Sequence, residues 1–254
     1  MSRQADADHS INAVRRAFEI VDALRTHDSL TLTELAETLS LPTSTAHVYL
    51  QTLEREGMVV RDGRRYRNSL KFLLYGGEAR QQVDLFDASR QAITELAVET
   101  GERAAVGVEE NGNRVLLSLV DGPNAVSDNI PAGEFTEMHW TSLGKCILAY
   151  LPEPRRAEII AESDLPRATP NTITDADLLE RECETIRQRG YAIEDEERRE
   201  GMRSISVPIL DPDENVLGAI GVTGPTNRFD PESMYTYSRL LERKANVVKL
   251  RIVY

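Results

Sequence analysis

The sequence predicts an α+β protein of two domains. Apolar residues recur at helical spacing, with short interruptions, over residues 11–57, and strand-like segments alternate with helical ones from residue 104 onward. The strands follow one another as hairpins rather than as strand–helix–strand repeats, which favours an antiparallel sheet over a parallel one. The expected domain bounds are 10–70 and 84–254, joined by a linker helix over 71–83.

Length and composition are consistent with two folded domains in the cytoplasm. The 254 residues are 41% hydrophobic and 28% charged, which excludes wholesale disorder. No apolar run approaches the roughly 18–20 residues of a membrane span. The two cysteines, Cys146 and Cys183, are too few for a disulfide framework. Residues 1–10, which include His9, are polar and expected to be frayed.

The net charge of −12 is confined to the C-terminal two thirds of the chain. Residues 1–80 carry 11 acidic and 11 basic side chains, whereas residues 81–254 carry 31 and 19. The N-terminal part therefore lacks the acidity that would repel nucleic acid. Of the 30 basic residues 26 are arginine, and this acidic, lysine-poor composition is typical of a protein dissolved at high salt. An ordinary acidic cytosolic protein is the alternative.

The N-terminal elements occur in the order of a winged helix-turn-helix. A first helix begins at Ile11, and a capping box formed by Thr31 and Glu34 begins a second, short helix. A third helix is expected to begin with Thr43 or Ser44 as its cap. A hairpin with an Asp-Gly tip then spans 58–67. The predicted inward-facing residues of the first helix are Ile11, Val14, Phe18, Val21 and Leu24, and those of the third are Ala46, Tyr49, Leu50 and Leu53.

The third helix and the hairpin, or wing, are the predicted DNA-contacting elements. The helix face opposite its apolar residues is small and polar, which suits base edges and phosphates in the major groove. The wing carries a net charge of +4 within residues 61–71, which suits the DNA backbone. A merely solvated polar face is the alternative for the helix taken alone. The candidate residues are Thr31, Thr43, Ser44, Thr45, His47, Val48, Gln51, Arg64, Arg65 and Arg67.

The C-terminal part alternates between hairpins and helices. The expected strands are 104–109, 115–120, 191–195, 204–210 and 216–223, and the expected helices are 85–99, 142–151, 153–162, 175–189 and 230–250. Antiparallel hairpins flanked by helices are typical of an α+β sensor-like domain.

Several motifs in this order resemble the IclR family of transcriptional regulators. The resemblance covers residues 10–250 approximately. It is carried by Thr31–Ala36, Leu41–Leu53, Ser142–Leu148, the intact Thr-Pro-Asn-Thr-Ile-Thr at 169–174, Arg187–Tyr191, Asp195–Glu197, Gly201, Pro208, and the Thr-Gly-Pro at 223–225 with Arg228. It implies a homodimer or homotetramer on double-stranded operator DNA. It also implies a GAF/profilin-like antiparallel-sheet domain that binds a small-molecule effector, such as an organic or sugar-derived acid of a catabolic pathway.

The resemblance places the effector in a pocket of the C-terminal domain. The implied effector-binding residues are Met138, Trp140, Ser142, Leu143, Glu194, Ser204, Gly221 and Thr223, and His139 joins Met138 and Trp140 in an apolar lip. Backbone N–H groups at residues 142–144 begin a helix and could receive a carboxylate. The family often has a cysteine at the position of Ser204 and a serine at that of Gly221, so no effector can be transferred from a relative.

An enzyme is the less favoured interpretation. Cys146, His139 and Glu194 could form a nucleophile, a base and an orienting group, but a helical cysteine is more often a small buried apolar residue. The sequence has no glycine-rich phosphate loop and no paired-cysteine metal motif, so we expect no catalysis, no cofactor and no metal. The acidic run Asp195–Glu197 is expected to be solvated or paired with neighbouring arginines. A constitutive regulator whose C-terminal domain only oligomerises remains the alternative function.

Overall fold

The structure is a computed structural model that describes residues 11–126 and 129–253. The chain forms two compact units whose boundary falls between Ala79 and Arg80. The predicted frayed segment 1–10, with His9, lies outside the described residues. The N-terminal unit contains α1 (Asn12–Thr26), β1 (Leu30–Thr31), α2 (Leu32–Thr38), α3 (Thr43–Arg55), β2 (Val59–Asp62), β3 (Arg65–Asn68) and most of α4 (Lys71–Gln81).

The core of the N-terminal unit brings α1, α2, α3 and the hairpin together. Its buried residues are Ile20, Ala23, Leu24, Leu30, Leu35, Leu50, Val59 and Tyr66. The predicted inward face of α1 is therefore largely wrong, since Ile11, Val14 and Phe18 are 70%, 51% and 62% exposed. Both faces of this helix carry apolar residues at helical spacing, and only contacts with the other helices decide which face is buried.

The ends of the first helices show which capping predictions hold. The Thr31 hydroxyl accepts from the Glu34 amide and the Glu34 carboxylate accepts from the Thr31 amide, which confirms the capping box of α2. For α3 the prediction is wrong, because Pro42 is the N-cap residue and no side chain caps the helix. The pair Leu30–Thr31 also adds a third, unpredicted strand, so that the wing forms a sheet of order β1-β3-β2.

The C-terminal unit is built on one six-stranded antiparallel sheet of order β6-β5-β4-β9-β8-β7. Its strands are β4 (Arg103–Glu110), β5 (Asn113–Val120), β6 (Phe135–Glu137), β7 (Ala192–Asp195), β8 (Met202–Leu210) and β9 (Val216–Pro225). Its helices are α5 (Asp84–Thr100), α6 (Ser142–Tyr150), α7 (Glu153–Glu162), α8 (Ala176–Arg189) and α9 (Pro231–Val253), with 3-10 turns at Met138–Trp140 and Thr226–Arg228. The predicted α+β class and antiparallel sheet are confirmed.

Helices cover both faces of this sheet because its strands alternate. Ala104 and Val106 of β4 point to the core shared with α5 and α9, whereas Ala105 points to the core shared with α6 and α8. Each face is therefore apolar over much of its area, and the polar residues on the α6 face are exceptions to this pattern. The short strand β6 and both 3-10 turns were not predicted, because three residues are too few for a periodic pattern.

Candidate functional site

The outward face of α3 presents hydroxyl, imidazole, amide and methyl groups. Ala46 and Leu50 are buried, as predicted, and Thr43, Ser44, His47, Val48 and Gln51 are exposed on the other side, with Thr45 half-buried. Within residues 11–126 and 129–253, no hydrogen-bond partner is found for these polar side chains. The N-terminus of α3 has no side-chain cap, so its first N–H groups are available to an anion.

The arginines of the wing are not equivalent. Arg65 donates to the Ser29 hydroxyl (2.9 Å) and carbonyl (2.7 Å). It also forms an ion pair with Glu34 at 3.2 Å, so its charge already has a partner within the unit. Arg67 makes a long 3.3 Å bond to the Asn68 carbonyl. Arg64 lies at the exposed tip, and the described part of the chain offers its guanidinium no partner. Thr31, also a candidate, is occupied as the cap of α2.

The C-terminal unit contains a cavity of about 430 Å³ on the α6 face of the sheet. Glu194, Ser204, Thr223 and Arg103 stand directly opposite one another on β7, β8, β9 and β4, and all four line the cavity. Ser142 and Leu143 line it from the first turn of α6. The structure thus brings together five residues that the resemblance implies: Ser142, Leu143, Glu194, Ser204 and Thr223.

The first turn of α6 is held tightly against its surroundings. The Thr141 hydroxyl accepts from the Gly144 amide (2.9 Å), and the hydroxyls of Ser142 and Ser206 are 2.6 Å apart. A Cβ atom on Gly144 would lie 2.2 Å from the Met138 carbonyl oxygen, so the helix approaches this backbone more closely than any other residue would allow. Ser142 and Leu143, which line the cavity, are consequently fixed in position.

Glu194 is the buried carboxyl group of the cavity. It accepts from the amides of Glu197 (2.9 Å) and Arg198 (3.2 Å) and from the Ser204 hydroxyl (2.9 Å). Burial raises the pKa of Glu194 to about 7, with the Glu197 carboxylate adding to the shift and the three donors opposing it. The group can therefore change its charge near neutral pH.

The loop that follows Glu194 and strand β7 is anchored to α6. The ammonium group of Lys145 lies 2.5 Å from Oε1 of Glu197, and both side chains are buried. The hydroxyls of Thr169 and Thr172 donate to the carbonyls of Glu196 and Glu197 at 2.6 Å, which gives the Thr-Pro-Asn-Thr segment its structural role. The expectation that the acidic run is solvated is wrong for Glu197, whereas Asp195 pairs with Arg203 as predicted.

Sequence reasoning missed the arginines that line the cavity. Arg103 forms two bonds to the Asp121 carboxylate (2.6 and 3.2 Å), and Arg198 pairs with Glu134 at 2.7 Å. Arg114 on β5 is 1% exposed, and burial lowers its pKa to about 10. Arg114 directly precedes the predicted strand 115–120 and is two residues from the buried Leu116, and this spacing is an available signal for it. Arg199 and Glu134 also line the wall.

Three implied residues lie away from the cavity. Met138 packs in the α6 core, and the Trp140 indole donates to the Pro166 carbonyl at 2.8 Å. His139 contacts the same carbonyl at 3.0 Å, so the predicted apolar lip holds the segment between α7 and α8 instead. Gly221 lies beneath the serine pair, where a Cβ would be 2.1 Å from the Ser206 hydroxyl. Its role is to make room for that pair.

The residues considered for catalysis do not form a reactive centre. Cys146 is fully buried, and burial raises the pKa of its thiol well above the usual range. Burial also lowers the pKa of His139. Among the described residues, no group of three or more His, Cys, Asp or Glu side chains could hold a metal ion. No helix within 11–126 or 129–253 is long and apolar enough to cross a membrane.

Comparisons with known proteins match both units of the chain. The family model of the bacterial transcriptional regulator IclR C-terminal domain matches residues 77–249, and that of the IclR helix-turn-helix domain matches residues 13–63. A probable HTH-type transcriptional regulator, ArcR of Halobacterium salinarum, is 34% identical over 95% of this chain and 94% of its own.

Solved structures share the fold. The IclR of Thermotoga maritima aligns with a TM-score of 0.80 and 29% identity, covering 96% of this chain and all of its own. An IclR homolog of Microbacterium hydrocarbonoxydans, solved with 4-hydroxybenzoate, aligns with a TM-score of 0.78 and 21% identity over 94% of this chain and 97% of its own. The Halobacterium relative and the family model of the C-terminal domain both carry the name of a transcriptional regulator. The chain therefore belongs to the IclR family of transcriptional regulators.

Proposed function

We propose that this regulator binds operator DNA through α3 and the wing, and that a small organic or sugar-derived acid of a catabolic pathway modulates the binding. The observation that carries the proposal is the cavity of the C-terminal unit, whose wall combines a helix N-terminus with buried arginines. A purely oligomerising domain would have no need of such a cavity, because its buried polar groups are costly without a ligand to satisfy them.

On the DNA side, α3 enters the major groove in this proposal. Its unpaired hydroxyls near the N-terminus suit phosphate oxygens, Gln51 suits an adenine edge, and the exposed Val48 suits a thymine methyl group. The wing then contacts the backbone through Arg64 and Arg67, with Arg65 orienting the hairpin against Ser29.

In the cavity, the effector carboxylate meets the first turn of α6. Thr141 already caps the Gly144 amide, and the Lys145 amide bonds within the helix. The N–H groups of Ser142 and Leu143 remain as donors, at the end of a helix whose dipole favours an anion. Ser204 and Thr223 add hydroxyl groups on the sheet. A protein of the same fold solved with the aromatic acid 4-hydroxybenzoate supports an acid as ligand.

We also propose a homodimer or homotetramer that works in the cytoplasm at high salt. Apolar side chains of α1 and of the segment around α4 are exposed, and a second copy of the chain is their proposed partner. These residues are Ile11, Val14, Phe18, Leu70, Leu73, Leu74 and Tyr75. One winged helix reads only a few base pairs, so useful specificity needs a repeated site and two chains. The arginine-rich acidic composition and the Halobacterium relative support the high-salt setting.

The test is fluorescence anisotropy with labelled DNA from upstream of the neighbouring genes, in high potassium chloride, titrated with small organic and sugar-derived acids. We expect two or more chains to bind each DNA site specifically. We also expect one of the acids to change the affinity of this binding. Specific binding that no acid shifts would favour the constitutive alternative. An absence of specific binding on all of this DNA would contradict the proposed function.

The wing gives the first testable prediction. Arg64→Ala should weaken binding about threefold to tenfold on every DNA sequence and lower the slope of log affinity against log salt by about 1. The reason is that this exposed guanidinium has no described partner in the protein and is free to contact a phosphate. Anisotropy at four or more salt concentrations measures both quantities.

Arg65→Ala and Gln51→Ala serve as matched controls. Arg65 is already bonded to Ser29 and Glu34, so its loss should change DNA affinity less than the loss of Arg64. Gln51→Ala should alter the preference at one base position while leaving the salt slope unchanged. If Arg64→Ala left both affinity and slope unchanged, the placement of the wing on the DNA backbone would be wrong.

Glu194 gives a prediction on pH. Below pH 7 its carboxyl group is protonated and neutral, and above pH 7 it is ionised and repels an anionic ligand. If only the neutral form accepts the acid, affinity at pH 8 should be about tenfold weaker than at pH 6. Isothermal titration of the acid that binds most tightly, at both pH values, measures the ratio.

Glu194→Gln is the control for this pH effect. Its amide oxygen can still accept from the Glu197 and Arg198 amides. Its amide nitrogen can donate to the Ser204 hydroxyl, which in the wild type donates to the carboxylate. The variant should therefore fold and bind with an affinity that changes less than twofold between pH 6 and pH 8. An unchanged tenfold ratio in this variant would assign the pH effect to another group.

A further inference from the structure

One end of the cavity carries more positive than negative charge. Arg114 and Arg198 share a single carboxylate, that of Glu134, at 3.2 Å and 2.7 Å respectively. Arg103, which also lines the cavity, pairs with a carboxylate of its own, that of Asp121. Two guanidinium groups on one carboxylate leave a surplus of one positive charge beside Arg114.

Arg114 also has donors without an acceptor. Its side chain is 98% buried, and within the described residues its Nε and Nη1 atoms have no hydrogen-bond partner. Unpaired buried donors of a charged group are unfavourable, and a native structure retains them where a ligand completes the site. Burial and the nearby Arg198 guanidinium lower the pKa of Arg114, which is a further sign of missing negative charge.

The strand beside Arg114 leaves room for its side chain. A Cβ on Gly107 would lie 3.1 Å from Cδ and 3.4 Å from Cγ of Arg114, so the aliphatic stem runs directly over the glycine. The stem is thereby held on the α6 face of the sheet, and the guanidinium reaches the cavity wall next to Glu134. Its position is set by packing and does not depend on a ligand.

We propose that the effector carries two anionic groups, and we call such a ligand a dianion; the inference rests on the proposed function of the cavity. One carboxylate of this ligand binds at the first turn of α6, and a second anionic group binds to Arg114 and Arg198. A guanidinium group receives a carboxylate or a phosphate through two parallel hydrogen bonds, and either group would supply the missing charge. A neutral hydroxyl would satisfy a donor but would leave the charge surplus in place.

Matched pairs of acids test the proposal at constant ionic strength. The probes are succinate against butyrate, glutarate against valerate, and 3-phosphoglycerate against glycerate, each titrated calorimetrically into the full-length protein. We expect at least one dianion to bind ten times or more tightly than its monoanionic counterpart. Tighter binding of the dicarboxylates would identify the second anionic group of the effector as a carboxylate. Tighter binding of 3-phosphoglycerate would identify it as a phosphate.

Two cavity variants and one surface variant locate the second group. Arg114→Gln should lower the affinity for the dianion tenfold or more and leave that for the monoanion within twofold. Arg198→Gln, whose side chain is partly exposed and tolerates change more easily, should do the same. Arg239→Gln removes an exposed charge from α9 and should affect neither ligand.

The outcomes separate the two proposals. If monoanions and dianions bind equally well and both cavity variants bind as the wild type does, the dianion inference is wrong while the acid-binding function stands. If no acid binds but operator DNA is bound specifically, the proposed acid effector is wrong and the dianion inference falls with it. A preference for dianions that both cavity variants abolish would confirm the inference.

Discussion

Lys145→Met is expected to destabilise the C-terminal unit by about 3–5 kcal/mol, because it leaves the buried Glu197 carboxylate without its cation. Lys145 is 1% exposed and Glu197 is 7% exposed, so solvent cannot replace the lost partner. The amide of Glu197 also donates to the Glu194 carboxylate in the cavity, and the variant should therefore weaken acid binding as well. The single tryptophan, Trp140, lies in this unit, and its fluorescence during chemical denaturation measures the loss.

The destabilisation should depend on pH in a defined direction. Burial already raises the pKa of Glu197 above its usual 4.5, and Lys145 opposes that rise. Without Lys145 the folded-state pKa rises further, so the folded protein takes up a proton that the unfolded chain releases. Stability is then retained at low pH and lost as the pH rises through the folded pKa. The free energy of unfolding should therefore fall more at pH 8 than at pH 5.

A double variant separates the ion pair from general packing. Lys145→Met with Glu197→Met replaces both charges by apolar chains and should recover most of the stability that the single variant loses. Arg239→Met, which breaks an exposed pair with Glu242 at 2.6 Å, should change stability by about 0.5 kcal/mol or less. If Lys145→Met lowered the free energy of unfolding by less than about 1 kcal/mol, and equally at both pH values, the buried Lys145–Glu197 pair would not anchor the loop after β7.

The N-terminal unit was predictable because its signals are local. The capping box at Thr31 and the Asp-Gly hairpin each act within four residues along the chain. The inward face of α1 was not predictable in this way. Ile20 and Leu24 are buried whereas Val14 and Phe18 are exposed, and only the packing of α2, α3 and the hairpin makes that choice.

The cavity was predictable only in part. The resemblance supplied Glu194, Ser204 and Thr223, whose alignment across three strands depends on register and not on sequence spacing. Arg114 and Glu134 are 20 residues apart, and their pairing needs β5 to lie beside the segment before β6. Gly221 does not line the cavity, and nothing local to it reveals the Ser142–Ser206 contact beside which it lies.

Gly144→Ala is expected to have the second large effect: it should lower the free energy of unfolding of the C-terminal unit by about 3 kcal/mol. The added Cβ would lie 2.2 Å from the carbonyl oxygen and 2.8 Å from the carbonyl carbon and Cα of Met138, and backbone atoms cannot rotate away. The start of α6 must therefore move. The free energy that this shift costs exceeds the stabilisation that alanine gives over glycine inside a helix. Denaturation followed by Trp140 fluorescence measures the change.

The same shift should damage the cavity, because Ser142, Leu143 and Lys145 move with the helix. We expect acid binding to weaken at least tenfold even under conditions in which Gly144→Ala remains folded. Gly76→Ala is the matched control. It lies in α4, where no atom of the described residues outside its own helix backbone and chain neighbours would be within 4 Å of its Cβ, and it should stabilise the helix by up to about 1 kcal/mol. If Gly144→Ala and the wild type had equal stability and equal affinity for the acid, α6 would be able to shift without consequence. The first turn of α6 would then not be the fixed binding site of the anion.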